Sequence, residues 1–164
     1  MGNSDYPVTT AIRFLREKNV EFRPHVYVYE EHGGTGHSAS ALGVSEREVV
    51  KTIVMATDAG KPLLVLMHGD REVSTKQLAR ILKVKRVEPC DESTATRHTG
   101  YIFGGTSPFG TRHPLPVYVE RSIFDLRRLF INGGKRGFLV EINPADLRKA
   151  LPVVEVNVAT SFTS

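Results

Sequence analysis

Seven consecutive residues, Gly104-Gly105-Thr106-Ser107-Pro108-Phe109-Gly110, combine three glycines, a proline and two hydroxyl side chains directly after the apolar run 101–103. Glycine lacks the Cβ that keeps other residues away from a ligand, so the backbone here suits close approach to an anion or a carbonyl oxygen. In a nucleophile elbow the residue after the serine donates its N–H to the oxyanion, but Pro108 has none and Phe109 replaces the second glycine. Ser107 is therefore a poor hydrolase nucleophile. A tight turn that binds nothing explains the loop equally well.

A second glycine-rich stretch, Asn132-Gly133-Gly134-Lys135-Arg136-Gly137, separates two apolar runs. As a P-loop it fails, because Leu129 stands at the first glycine position and Arg136 at the Ser/Thr position. It reads as a hairpin turn with two cations, either a phosphate contact or a solvated turn. Lys51, near the head of the apolar run 49–56, is either a snorkelling edge residue or a cation held in a site. His32 and His37 lack the i, i+4 spacing of a zinc helix and have no neighbouring ligand set, so no metal and no cofactor are expected. Cys90, the single cysteine, follows Pro89 with no assignable base and reads as an incidental or packing thiol.

The 164 residues, 40% of them hydrophobic, suit one domain over 1–164 with a real core. Neither a membrane-length apolar run nor a signal-peptide core is present, and one cysteine gives no disulfide framework. A soluble cytoplasmic protein is expected. A net charge of +4 and a pI near 9.3 favour an anionic partner, with basic residues concentrated at 76–86 and 121–136.

Several elements must position these residues. Val8, Ala11, Ile12 and Leu15 trace an amphipathic helix reaching about Asn19. Residues 20–29 alternate as a strand with His25, Tyr27 and Tyr29 on one face, where His25 and Tyr27 are candidates to line a pocket. Glycines break regular structure over 30–36, and a short serine-capped helix spans 38–43. A strand over 49–56 pairs with 63–67 as a hairpin. A helix opens at Ser74, a strand covers 84–87, and a helix over 91–98 stops at Gly100. Residues 116–120 form a strand, and 129–131 and 138–142 flank the second glycine turn. Asn143 and Pro144 begin a helix holding Leu147 and Leu151, and 153–158 is a last strand or an extended tail. The class is α/β or α+β, a mixed sheet with flanking helices.

In order and spacing, Val50-Lys51-Thr52, the turn 69–73, Gly100-Tyr101 with the loop 104–110, and Gly133-Gly134-Lys135-Arg136-Gly137 resemble the YbaK/EbsC family of aminoacyl-tRNA deacylases. The resemblance spans nearly the whole chain, from Thr9 to Leu147. It implies a mixed α/β, barrel-like sheet related to the editing domain of bacterial prolyl-tRNA synthetases. It also implies hydrolysis of the ester between a wrongly attached amino acid and the 3′ end of tRNA, typically tRNA(Pro), with prolyl-tRNA synthetase as a further partner.

Carried over by position, Lys51 and the Gly104 and Gly105 backbone are implied as catalytic groups. Tyr27, Thr52, Thr106, Ser107, Asn132, Gly133 and Gly134 are implied as substrate-binding. The ester is already reactive, so orientation and donors for the developing oxyanion suffice. In the cysteine-specific branch the substrate's own thiol attacks its ester, which fits a chain with no evident protein nucleophile. Asn132 stands where those members carry serine, and Leu139 where some carry aspartate. Cysteine is the first expected substrate and alanine the second. A catalytically silent tRNA- or synthetase-binding module is the alternative, although binding alone would not require both Lys51 and the glycine loop.

Overall fold

The computed structural model describes residues 5–162, which contain five α-helices and ten strands. Helix α1 (Thr10–Glu17) starts where the Thr9 hydroxyl accepts the Ile12 N–H, 3.1 Å away, and it buries Ala11, Ile12 and Leu15. Strand β1 (Arg23–Val26) is shorter than the expected 20–29, and its alternation sets His25, Tyr27 and Tyr29 half-buried while Val26 and Val28 face solvent. The polar aromatic face is thus the inner one.

Helix α2 (Gly34–Leu42) begins inside the segment expected to be irregular. Gly34, at φ +60°, admits the turn into the helix, and Gly43 in the left-handed region ends it. Ser45, whose hydroxyl accepts the Arg47 N–H at 3.3 Å, caps a single 3₁₀ turn (Glu46–Glu48). Strands β2 (Val49–Thr57) and β3 (Pro62–His68) form the expected hairpin, paired from Val50↔His68 to Ala56↔Pro62.

Strand β4 (Arg71–Val73) occupies what reads as a turn. It leads to α3 (Thr75–Leu82), whose first turn is capped by the Ser74 hydroxyl accepting the Gln77 N–H. The next strand lies at β5 (Val87–Pro89) rather than over 84–87. Lys83 at φ +60° and the Val84 N–H bond to Ala79 O are still closing the helix there. Helix α4 (Glu92–Thr99) follows, with Asp91 and Gly100 as its caps. Then come β6 (Val117–Glu120), β7 (Leu129–Lys135), β8 (Phe138–Ile142), α5 (Asp146–Ala150), β9 (Val153–Val156) and β10 (Ala159–Phe162).

The main sheet has eight strands in the order β1-β8-β7-β2-β3-β6-β9, with β5 added beside β2. Its pairings mix both directions: β2 with β7, β3 with β6 and β6 with β9 are parallel, the others antiparallel. Strands β4 and β10 make a separate two-stranded sheet. This is the mixed α/β architecture expected. No helix among the described residues is long and apolar enough to cross a membrane.

Alternation along β2 sorts the core. Val50 and Val54 join the main cluster with Ile12 and Leu15 of α1. On the other side Met55 packs with Leu78 of α3, and Val49 packs with Ala39 of α2, Phe130 and Leu139. Full burial of each such side chain contributes on the order of 1.5–3 kcal/mol. By the two-residue period Lys51 shares the face of Val49 and Met55, so it stands between the α2 and α3 packings.

Candidate active site

One edge of β2 is taken by β3 along its length. The other is shared: β7 pairs only at Val49 and Val50, and β5 only from Met55 to Thr57. Residues 51–53 have no ladder partner on that edge among the described residues. Lys51 and Thr52 lie in this gap and line a cavity of about 480 Å³, a size suited to a small ligand. The Thr52 hydroxyl is buried without a hydrogen-bond partner among the described residues.

The Lys51 ammonium makes two long contacts of 3.4 Å, to the Gly69 carbonyl and the Glu72 carboxylate, and its side chain is 23% exposed. Above it the 27–38 segment forms a wall. The Tyr27 hydroxyl accepts from Ser38 Oγ at 3.0 Å. Both ring nitrogens of His37 are occupied, Nε2 by the Val28 carbonyl at 2.7 Å and Nδ1 by Glu30 at 3.0 Å.

The two glycine-rich stretches meet at the cavity. Asn132 Nδ2 donates to the Gly104 carbonyl at 3.2 Å, while its Oδ1 accepts the Gly134 and Lys135 N–H groups at 2.6 and 3.1 Å. Gly104 adopts φ +88°, and a Cβ there would stand 2.6 Å from the Tyr29 hydroxyl oxygen. At Gly105 a Cβ would meet the Arg136 nitrogen at 2.9 Å, so both positions require glycine for close approach. The far end of the loop is fixed by the Tyr101 hydroxyl, which donates to the Phe109 carbonyl and whose ionisation burial pushes up.

Of the residues singled out from sequence, Tyr27, Lys51, Thr52, Gly104, Thr106 and Asn132 line this cavity. Gly105, Ser107, Gly133 and Gly134 do not, and neither does His25, whose Nε2 pairs instead with the Glu141 carboxylate at 2.9 Å. Gly105 gives its N–H to the Ile102 carbonyl at 2.9 Å, so that group is spent on the turn and is no oxyanion donor in this conformation. The N–H groups of Gly104 and Thr106, by contrast, have no acceptor among the described residues. Ser107 is fully buried, its hydroxyl accepting the Phe109 N–H at 3.2 Å, which makes it a loop brace and not a substrate contact. Gly133 packs under Phe138, and its carbonyl accepts the Thr9 hydroxyl. Gly134 presses on Tyr101 and Thr9 at φ +99°. Burial pushes the Cys90 thiol up, with Asp91 adding to the shift, and Cys90 is not among the lining residues.

Tyr29, His37, Phe103, Arg136 and Leu139 also line the cavity. The alternation that exposed Tyr27 as a pocket residue also marks Tyr29, and the cation pair in the second glycine turn marks Arg136. Nothing local distinguishes Phe103 from a core aromatic.

The chain resembles known proteins over most of its length. Residues 34–150 match the model of the aminoacyl-tRNA editing domain. EbsC of Enterococcus faecalis, to which Cys-tRNA(Pro)/Cys-tRNA(Cys) deacylase activity is provisionally ascribed, is 28% identical over 137 residues, covering 83% of this chain and 84% of its own. A proline–tRNA ligase of Brachyspira hyodysenteriae is 28% identical over 94 residues, 57% of this chain and 16% of the ligase. Among solved structures, a protein described as hypothetical superposes with a TM-score of 0.85 at 22% identity, covering 93% of this chain and 100% of that one. A trans-editing enzyme for prolyl-tRNA synthetase, so described provisionally, superposes with a TM-score of 0.81 at 18% identity, covering 93% and 96%. With the editing-domain model spanning α2 to α5 and most of the cavity lining within that span, this chain belongs to the aminoacyl-tRNA editing domain family.

Proposed function

We propose that the chain removes the amino acid from mischarged aminoacyl-tRNA by cleaving its ester, with cysteinyl-tRNA(Pro) as the first substrate. The observation that carries this reading is the pairing of a cation, Lys51, with unbonded backbone N–H groups at Gly104 and Thr106 around one cavity. Among the lining residues no hydroxyl is hydrogen-bonded to an imidazole or an amine, and the hydroxyl that meets a carboxylate is Thr35, which donates to Glu46 at 2.8 Å.

In this reading the Gly104 and Thr106 N–H groups receive the oxyanion that develops at the ester carbonyl, and Lys51 holds the substrate's ribose or phosphate or adds charge stabilisation. The cysteine thiolate attacks its own carbonyl, forming the C–S bond. The ester C–O bond breaks, and the tRNA hydroxyl leaves with a proton. Water then opens the cyclic thioester. Prolyl-tRNA synthetase is the partner from which the mischarged tRNA would come.

Leu139, 4% exposed, gives the cavity an apolar wall that favours alanine as the second substrate. A methyl group offers no nucleophile, so alanyl-tRNA would need a positioned water. The test compares ester loss from cysteinyl-, seryl- and alanyl-tRNA(Pro) at matched concentrations. Cysteine should be cleaved far faster than serine, because a thiol ionises near pH 8.5 and an alcohol scarcely does. Alanine cleaved fastest, without a cyclic product from cysteine, would overturn substrate assistance. No ester loss from any of them would leave only a binding module.

A further inference from the structure

Phe103 leaves 54% of its surface in solvent while lining the cavity, and Ile102 beside it is equally exposed. A large aromatic ring kept at a cavity mouth gains from whatever covers it. The ring's backbone is held firmly. The Phe103 carbonyl accepts Arg136 Nε at 2.8 Å, and the Arg136 guanidinium lies 5.1 Å from the Tyr29 ring centroid. A Cβ on Gly104 would stand 2.6 Å from the Tyr29 hydroxyl, so the two segments lie close, and the Gly137 carbonyl accepts the Tyr27 N–H at 3.0 Å. Segments 27–29, 102–105 and 135–137 are thereby clasped together, with Arg136 at the centre.

The remaining Arg136 nitrogens have no hydrogen-bond or carboxylate partner among the described residues. An exposed, anchored ring beside an uncompensated guanidinium matches the chemistry that grips single-stranded nucleic acid. The ring stacks an unpaired base through its π-face, and the cation meets the phosphate.

Resting on the deacylase reading above, we propose that Phe103 is the stacking platform for the terminal nucleobase of an RNA 3′ end and that Arg136 contacts the adjoining phosphate. The ribose between them then overhangs the cavity, and an amino acid esterified to it reaches the Gly104 and Thr106 N–H groups. Arg136 serves twice in this arrangement, holding the Phe103 backbone through Nε and offering its outer nitrogens to the phosphate. Stacking is tolerant of base identity, which suits a 3′ end common to all tRNAs.

The test uses an uncharged acceptor-stem minihelix ending in adenosine and the same minihelix ending in an abasic ribose, with affinity read by fluorescence anisotropy. Wild-type protein should bind the adenosine form about tenfold more tightly. In Phe103→Ala the two should bind alike, and Phe103→Tyr should restore the preference. Arg136→Gln should weaken both and reduce the slope of log K against log salt by about 0.7, one phosphate contact on a single strand. No adenosine preference in the wild type, or a preference that survives Phe103→Ala, overturns the platform. Ester loss from aminoacyl-tRNA on the same preparations decides the deacylase reading separately.

Discussion

Asn132 and Gly104, far apart in sequence, are joined by a 3.2 Å hydrogen bond from the Asn132 amide to the Gly104 carbonyl. The same side chain accepts the N–H groups of Gly134 and Lys135 through its other end. One amide therefore sets the turn of the second glycine stretch and ties it to the first. A serine hydroxyl at this position has one proton and a shorter reach, and it would not span all three contacts. The departure from the cysteine-specific pattern thus braces the wall of the cavity in this chain.

That brace makes the loop's backbone the sensitive element. Gly105→Val would push a branched side chain into the Lys135–Arg136 backbone and should slow deacylation by about a hundredfold by displacing Gly104 and Thr106. Ser107→Ala should lose about 1–3 kcal/mol of stability, because the buried Phe109 N–H loses its acceptor, yet retain most of its turnover. Urea midpoints and single-turnover rates on both variants check this. A trapped acyl-serine at Ser107 would refute it.

Much of the scaffold was legible because its signals are local. Ser74 and Asp91 sit at helix starts with their caps made, Gly43 and Gly100 sit at helix ends, and the β-branched run of β2 is a strand. Tyr27 was marked by alternation, and Lys51 by its charge within an apolar run. What failed depended on contacts made by distant residues. Strand β4 exists because β10, some 90 residues later, pairs with it. A run of glycines says that backbone can approach a ligand, but not that the Gly105 N–H is already committed to Ile102. The exposure of Phe103 is decided by Arg136 and Tyr29 drawing three segments together.

Cys90 offers a direct check that the protein supplies no thiol nucleophile. Burial raises its thiol above the usual range, so at pH 7 it should alkylate more slowly than free cysteine. Cys90→Ser should deacylate at the wild-type rate. Loss of activity on alkylation or in Cys90→Ser would place a protein thiol in the reaction.

His68 links stability to pH. It is fully buried, with Nδ1–H donating to the Arg47 carbonyl at 2.9 Å and Nε2 accepting from Ser122 Oγ at 2.7 Å, a set of partners that suits the neutral ring. Desolvation by burial lowers its pKa from 6.5. The folded state therefore binds fewer protons than the unfolded state just below pH 6.5, and the stability this group contributes, complete above that pH, is lost as pH falls through it. Urea midpoints should drop between pH 7.5 and 5.5, and His68→Asn should flatten that drop. An unchanged slope in the variant would remove His68 as the cause.

Lys51 is held loosely beside the cavity by its 3.4 Å contacts with Gly69 and Glu72. The deciding measurement is the single-turnover rate of cysteinyl-tRNA(Pro) deacylation by wild-type and Lys51→Ala protein, with thermal melts confirming that both are folded. Removing one charge that acts on the developing oxyanion or positions the ester should slow cleavage by about a hundredfold or more. A folded Lys51→Ala protein that cleaves at close to the wild-type rate would contradict the proposed site.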